Sequence, residues 1–336
     1  MDKFAKKTFT TSRSLTYTYY DSARPTDDPH KPVFFLLHGF PDNAHLWKEV
    51  IPHLLPLPNR IIVPDQLGYG STSRPTDAAL FNSKDLTADY VELLRAEHVT
   101  SNVVVVGHDW GSFSAQRVWL WAPELVVGVA LLNVAYIPPS ETPFDLAAAN
   151  AFFEQATGLP RYAYWELFTA EDGAEVCDKH LESLWHVAHG NRPNWMRDMF
   201  CVRGAMREFL LADRRDVELH EYAKPGNGWR EEWLQSVREG GGLASALCCY
   251  KALAHNHHYE VEKELPKERI PVTVPTFFLG CDRDDVCLSA LIEKNRADGH
   301  VGPDLTVKNI DSAHWCPMEK PDEVGKALYE WLSSKF

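Results

Sequence analysis

The stretch VVVVGHDWGS, residues 103–112, constrains this chain more than any other. Four consecutive valines favour a strand, and a run without polar alternation belongs inside a sheet covered on both faces. The run ends in Gly107 and Gly111, which bracket His108, Asp109 and Trp110. That G-x-D-x-G spacing is the spacing of a sharp strand-to-helix turn. The residue at its centre is strained, and neighbouring backbone passes too close for a Cβ at the glycines. The central side chain then sits at a helix N-terminus, where free N–H groups and the dipole favour negative charge. Such turns usually carry serine; here the residue is Asp109.

A carboxylate is already a nucleophile at neutral pH and needs no base. Attack on a carbonyl would give only a labile anhydride. Attack on a saturated carbon bearing a leaving group gives an ester of the enzyme, which water can hydrolyse at its carbonyl with help from backbone donors. A serine doing the same would end as an inert ether. Asp109 therefore predicts substitution at saturated carbon, with an epoxide or an alkyl halide as electrophile.

Other strand-like runs lie at 31–39 (KPVFFLLHG), 60–65 (RIIVPD) and 126–134 (VVGVALLNV). Helical patterns separate them. One starts near Ser83, with Ser83 or Asp85 as its cap and Leu86, Tyr90, Leu93 and Leu94 on one face; another runs from Ser112 and must stop before Pro123. Alternating strands and helices predict an α/β fold with a mostly parallel sheet. From Tyr136 to about residue 265 buried-strand runs give way to helical patterns rich in aromatics. Strands return at 269–280 and 304–310, and a helix closes the chain. The predicted organisation is an α/β core, 1–135 and 266–336, interrupted by a helical cap at 136–265 that is entered through the proline-rich 136–144.

Composition narrows the partners. A formal net charge of −13 argues against nucleic acid and anionic membrane, which need clustered Lys and Arg. No apolar run reaches transmembrane length. Seven cysteines without paired spacing predict reduced thiols and a cytoplasmic protein. Ser334-Lys335-Phe336 differs from the peroxisomal S-K-L address at its last position, a weak pointer to that organelle. His255, His257 and His258 have no Cys or carboxylate at ligand spacing and are expected at the surface, so no metal and no cofactor are implied.

In motif order, essentially the whole chain resembles the soluble epoxide hydrolases of the α/β-hydrolase superfamily. HGFPD (38–42) resembles their HGxP loop, and PDQLGYGSTSRP (64–75) their D-x-x-G-x-G-x-S loop. The resemblance implies an oxyanion hole from the backbone N–H groups of Phe40 and Trp110, and a cis Phe40–Pro41 bond. It implies that His314, in DSAHWCPMEKPDEV, activates the hydrolytic water. The acid that orients His314 comes from CDRDDVC (281–287), where alignment to the family's acid-x-Val selects Asp284, with Asp285 as runner-up and Asp282 a third candidate. Two cap tyrosines would hydrogen-bond the departing epoxide oxygen. RYAYWELFTAEDG gives Tyr164, with Tyr162 beside it, and ALCCYKALAH gives Tyr250 on what reads as the last cap helix. A phenol, pKa ~10, stays protonated at neutral pH and can donate. Trp165 and Phe168, with Trp185 and Trp195 in reserve, suggest a pocket for a small apolar or aryl epoxide and water.

Haloalkane dehalogenases share the Asp-Trp pair, but they usually carry Asn where Phe40 stands. Fluoroacetate dehalogenases carry arginines at the positions of Trp110 and Phe113, and both are absent. A non-catalytic receptor on the same fold would not require nucleophile, acid, base and tyrosines together. Oligomeric state is not legible.

Overall fold

The computed structural model describes residues 1, 3–23 and 31–336. Its strands are β1 (Ala5–Thr10), β2 (Thr16–Asp21), β3 (Val33–Leu37), β4 (Ile61–Pro64), β5 (Val103–His108), β6 (Val126–Leu132), β7 (Thr276–Cys281) and β8 (Leu305–Ile310). They form one sheet in the order β1-β2-β4-β3-β5-β6-β7-β8. The pairs β1–β2 and β2–β4 are antiparallel; all the others are parallel.

The order reverses at β3, which pairs β4 on one side and β5 on the other. In open α/β sheets such a switch point opens a crevice beyond the carboxyl ends of the strands. Side chains alternate across the sheet as the pleat requires. Phe34, Leu36, Val104 and Val106 enter one apolar cluster; Phe35, Leu37, Val103 and Val105 enter the other. Each fully buried valine contributes roughly 1.5–3 kcal/mol. The helices α1 (Ser83–Ala96) and α2 (Trp110–Trp121) cover the second face.

Asn82, not Ser83 or Asp85, caps α1: its side chain accepts from the Asp85 N–H at 3.0 Å. β7 begins at Thr276, so the expected strand at 269–280 is shorter at its start. The N-terminal hairpin was not expected, although Tyr17 and Tyr19 alternate with threonines and are buried.

Between β6 and β7 lies the helical cap. Its runs are more broken than their periodicity implied. The pattern at 195–212 splits into Trp195–Phe200 and Ala205–Leu211, separated at Gly204 with φ +77°. The pattern at 229–255 splits at Gly241 and Gly242, both at positive φ, leaving Trp229–Glu239 and α3 (Cys248–Ala254). Another helix, α4 (His257–Glu262), follows α3, so Tyr250 is not on the last cap helix. Beyond β8, α5 (Pro321–Lys335) buries Val324 and Leu328 in the first cluster.

Candidate active site

The elbow has the geometry its glycines imply. Asp109 has φ +56° and ψ −123°, between the last residue of β5 and the first of α2. A Cβ on Gly107 would overlap the Gly111 carbonyl, and one on Gly111 would overlap the Leu37 carbonyl. Strand, helix and the β3 loop therefore meet at contact distance. A Cβ on Gly39 would overlap Asp109 Oδ1 itself.

That closeness lets the Phe40 backbone N–H donate to Asp109 Oδ1 at 2.9 Å, from a loop with a cis Phe40–Pro41 bond. Trp110 opens α2, so its N–H has no acceptor within the helix. The second carboxylate oxygen, Oδ2, faces His314 Nε2 at 3.4 Å. Behind it, His314 Nδ1 meets Asp284 Oδ2 at 2.7 Å. Asp109, Asp284 and His314 are all buried at the carboxyl ends of β5, β7 and β8.

Asp284 is itself fixed. Its Oδ1 accepts from the Val286 and Cys287 N–H groups at 2.9 Å, and Asn133 Nδ2 donates to Oδ2 at 2.9 Å. Burial raises its pKa, but the His314 charge, that hydrogen bond and the other donors outweigh it and hold Asp284 below the carboxylate range. Burial likewise opposes charge on His314. The Asp284 charge and hydrogen bonds to Asp109, Asp284 and Cys287 prevail, and its pKa lies well above the ordinary imidazole value. Asp285 instead faces Arg197 at 3.3 Å, and Asp282 is exposed.

Tyr164 and Tyr250 line a small cavity of about 30 Å³ together with Asp109, Phe40, Phe168 and His314. The two rings stand 5.9 Å apart, edge to face. Burial, assisted by the nearby Asp109 charge, pushes both phenols well above their ordinary pKa, so both stay donors. Tyr162 stacks on Trp165 at 4.9 Å and lines a larger cavity of about 210 Å³ instead. Asp109, Tyr164 and Val286 border both cavities, which places the carboxylate where they meet. Trp110, Trp165 and Phe144 wall the larger cavity, whereas Trp185 is buried within the cap and donates to the Ala223 carbonyl at 2.9 Å. Trp195 borders a different groove.

Sequence reasoning missed Asn133 and Cys287, because neither belongs to a motif; each is found only by asking what surrounds the acid. It also missed Asp42, whose buried carboxyl accepts from Trp315 Nε1 at 3.1 Å and is pushed by burial up to about 7. His258 is a correction: it is 6% exposed, not a surface residue. Asp284, Cys287 and His314 bring ligand-type atoms within 4.8 Å of one another. The Asp284 oxygens are already engaged, and burial with the Asp284 charge pushes the Cys287 thiol up to about 12, so the trio is a poor metal cradle.

A doubly wound sheet with a carboxylate at the elbow and a helical cap over it defines an α/β-hydrolase. Residues 32–180 match the family model described as the alpha/beta hydrolase fold. Epoxide hydrolase B of Mycobacterium tuberculosis is 30% identical over 339 residues, covering 91% of this chain and 92% of that protein. Epoxide hydrolase A of the same organism is 29% identical over 315 residues, with 91% and 92% covered. The chain belongs to the epoxide hydrolase family. Its fold is similar to that of epoxide hydrolase A from Mycobacterium thermoresistibile, with a TM-score of 0.79 at 22% identity over 98% of both chains.

Proposed function

We propose that this protein hydrolyses an epoxide to a vicinal diol through an ester on Asp109. One observation carries the reading: Asp109 holds Oδ1 on the Phe40 N–H and turns Oδ2 toward His314, whose far nitrogen is held by Asp284. Asp109 Oδ2 attacks one epoxide carbon, the ring C–O bond breaks, and its electron pair goes to the departing oxygen. That oxygen takes a proton from Tyr164 or Tyr250. Ester formation removes the Asp109 charge, one of the interactions that keep His314 protonated, and the imidazolium returns its proton to the phenolate. Neutral His314 then takes a proton from water while the hydroxide adds to the ester carbonyl. The charge on Oδ1 is met by the Phe40 and Trp110 N–H groups. Collapse expels the diol oxygen with the remaining proton and restores both ions.

The aromatic walls around Asp109 suit an apolar or aryl group next to the epoxide. The division into core (1–135, 266–336) and cap (136–265) assigns both tyrosines to the cap and the triad to the core. Among the described residues no helix is long and apolar enough to cross a membrane. All seven cysteines are free thiols, which fits the cytoplasm.

One observation favours a dehalogenase as second reading. Two indoles, Trp110 and Trp165, line the larger cavity with Asp109, and an indole N–H can hold a halide. The intact mass of His314→Gln after separate incubation with styrene oxide and 1-bromobutane decides between them. A gain of the whole epoxide on the peptide holding Asp109 is the expected result. An adduct from the bromide alone would make the protein a dehalogenase. No adduct from either, with a wild type that turns over styrene oxide, would remove the ester from the mechanism.

A further inference from the structure

The larger cavity has a polar end that the reaction at Asp109 does not use. Asp109, Phe113 and Arg117 follow one another at four-residue steps along α2, and all three line it. The helix thus forms its floor; Phe113 lies roughly 6 Å along the axis from Asp109 at 1.5 Å per residue, with the Arg117 guanidinium folded back over its ring at 3.9 Å. Glu262 and His258, one turn apart on α4, line the same end.

The ion pair there is fully engaged. Arg117 Nε and Nη2 donate to the two Glu262 oxygens at 2.9 and 3.0 Å. Arg117 Nη1 donates to the Ile137 carbonyl at 2.6 Å and to Gln116 Oε1 at 3.2 Å. Ser83 Oγ donates to Glu262 Oε1 at 2.6 Å. The pair is neutral in sum and has little left to offer a ligand.

His258 is different. Its ring packs edge-on to Phe113 with centroids 4.9 Å apart, and neither ring nitrogen has a hydrogen-bond partner among the described residues. Burial lowers its pKa to about 4, so it is a neutral imidazole with one donor and one acceptor. Buried polar groups are almost always paired, and an unpaired one beside a cavity is a place for a ligand group.

We propose that His258, backed by the Arg117–Glu262 pair, is a second subsite that selects epoxides carrying an uncharged hydrogen-bonding group, such as a hydroxyl, ketone or amide, roughly five bonds from the ring. This rests on Asp109 being the epoxide nucleophile. Charge sets the class. A carboxylate tail would be buried beside Glu262 with no free cation to meet it, because Arg117 is already paired. An ammonium tail would face Arg117 and find no free anion. An alkyl tail would leave His258 unpaired.

Three substrates test this: hexene oxide, its ω-hydroxy analogue and its ω-carboxy analogue, compared by kcat/KM in wild type, His258→Leu and His258→Gln. The wild type is expected to favour the ω-hydroxy over the alkyl epoxide by about 5–10-fold, the worth of one neutral hydrogen bond. His258→Leu should bring that ratio to about one, and His258→Gln, which keeps a donor and an acceptor, should recover most of it. Each ratio is internal to one protein, so loss of folded material cancels. A ratio unchanged in His258→Leu, no hydroxyl preference in wild type, or a preference for the ω-carboxy substrate would each overturn the subsite. Failure of the wild type to open any of the three would overturn the epoxide reading and the subsite together.

Discussion

Asp109 serves both halves of the proposed reaction because its two oxygens have different partners. Oδ1 is already on the donor that would meet the oxyanion, while Oδ2, facing His314, is the oxygen that attacks. The charge on Asp109 also helps keep His314 protonated until the ester forms. Hydrolysis of that ester needs neutral His314, so its rate rises with pH through the imidazole pKa. Asp284 is the main source of the raised value, so Asp284→Asn should move that rise to lower pH while cutting the plateau by about 10³ or more through loss of the tautomer. Single-turnover hydrolysis of the ester across pH measures both. Tyr250→Phe should slow ester formation by about 10²-fold and leave ester hydrolysis nearly untouched, which stopped-flow tryptophan fluorescence would separate. Asp109, Asp284 and His314 were legible because each follows a strand end in a recognisable segment; Tyr250 rested on the resemblance of its helix alone. His258 was not legible, because HNHH reads as a polar turn. Its signal was indirect: Arg117 is the one charge in its helix and implies a buried partner, which is Glu262, one turn from His258.

At the scale of the element, the β5–α2 elbow ties stability to the position of the nucleophile. Gly111 is pressed against backbone, so Gly111→Ala must move a strand or a helix. It should cost about 1–3 kcal/mol or more, read as a lower Tm and reduced soluble yield. Gly39 is pressed against the Asp109 Cβ as well as its carboxylate, and a Cβ does not move when the side chain turns. Gly39→Ala should therefore push the Phe40 loop and the elbow apart, melting below wild type and forming little ester, by intact mass in the His314→Gln background. At the start of α1, Asn82→Ala removes a cap worth about 1 kcal/mol. The elbow was plain in the sequence, since four valines and two glycines leave few alternatives. The cap helices were less so: periodicity runs on through Gly204 and Gly241–Gly242, where the backbone takes a left-handed turn and the helices stop. β1 and β2 were missed because threonine and lysine dilute the alternation of an edge hairpin.

Across the whole molecule, cap and core share one apolar cluster. Trp47, Val106 and Leu328 of the core and Trp185, Trp195 and Leu234 of the cap belong to it. Polar ties span the same seam: Trp233 Nε1 donates to the Pro41 carbonyl at 3.0 Å, and Tyr69 Oη donates to the Ala246 carbonyl at 3.1 Å. A cluster continuous across the two predicts one cooperative transition. Far-UV circular dichroism and tryptophan fluorescence should melt together, although Trp165, Trp185, Trp195, Trp229 and Trp233 all report on the cap. Two separated transitions would show that the cap melts alone. A molecule lodged in that seam touches both parts of the chain and has no counterpart site once the chain unfolds. At about a hundredfold excess over its Kd it adds ~2.7 kcal/mol, a rise of a few degrees in the melt. Libraries of epoxides and diols can therefore be sorted by heat alone, without a chromophore, before any turnover is measured.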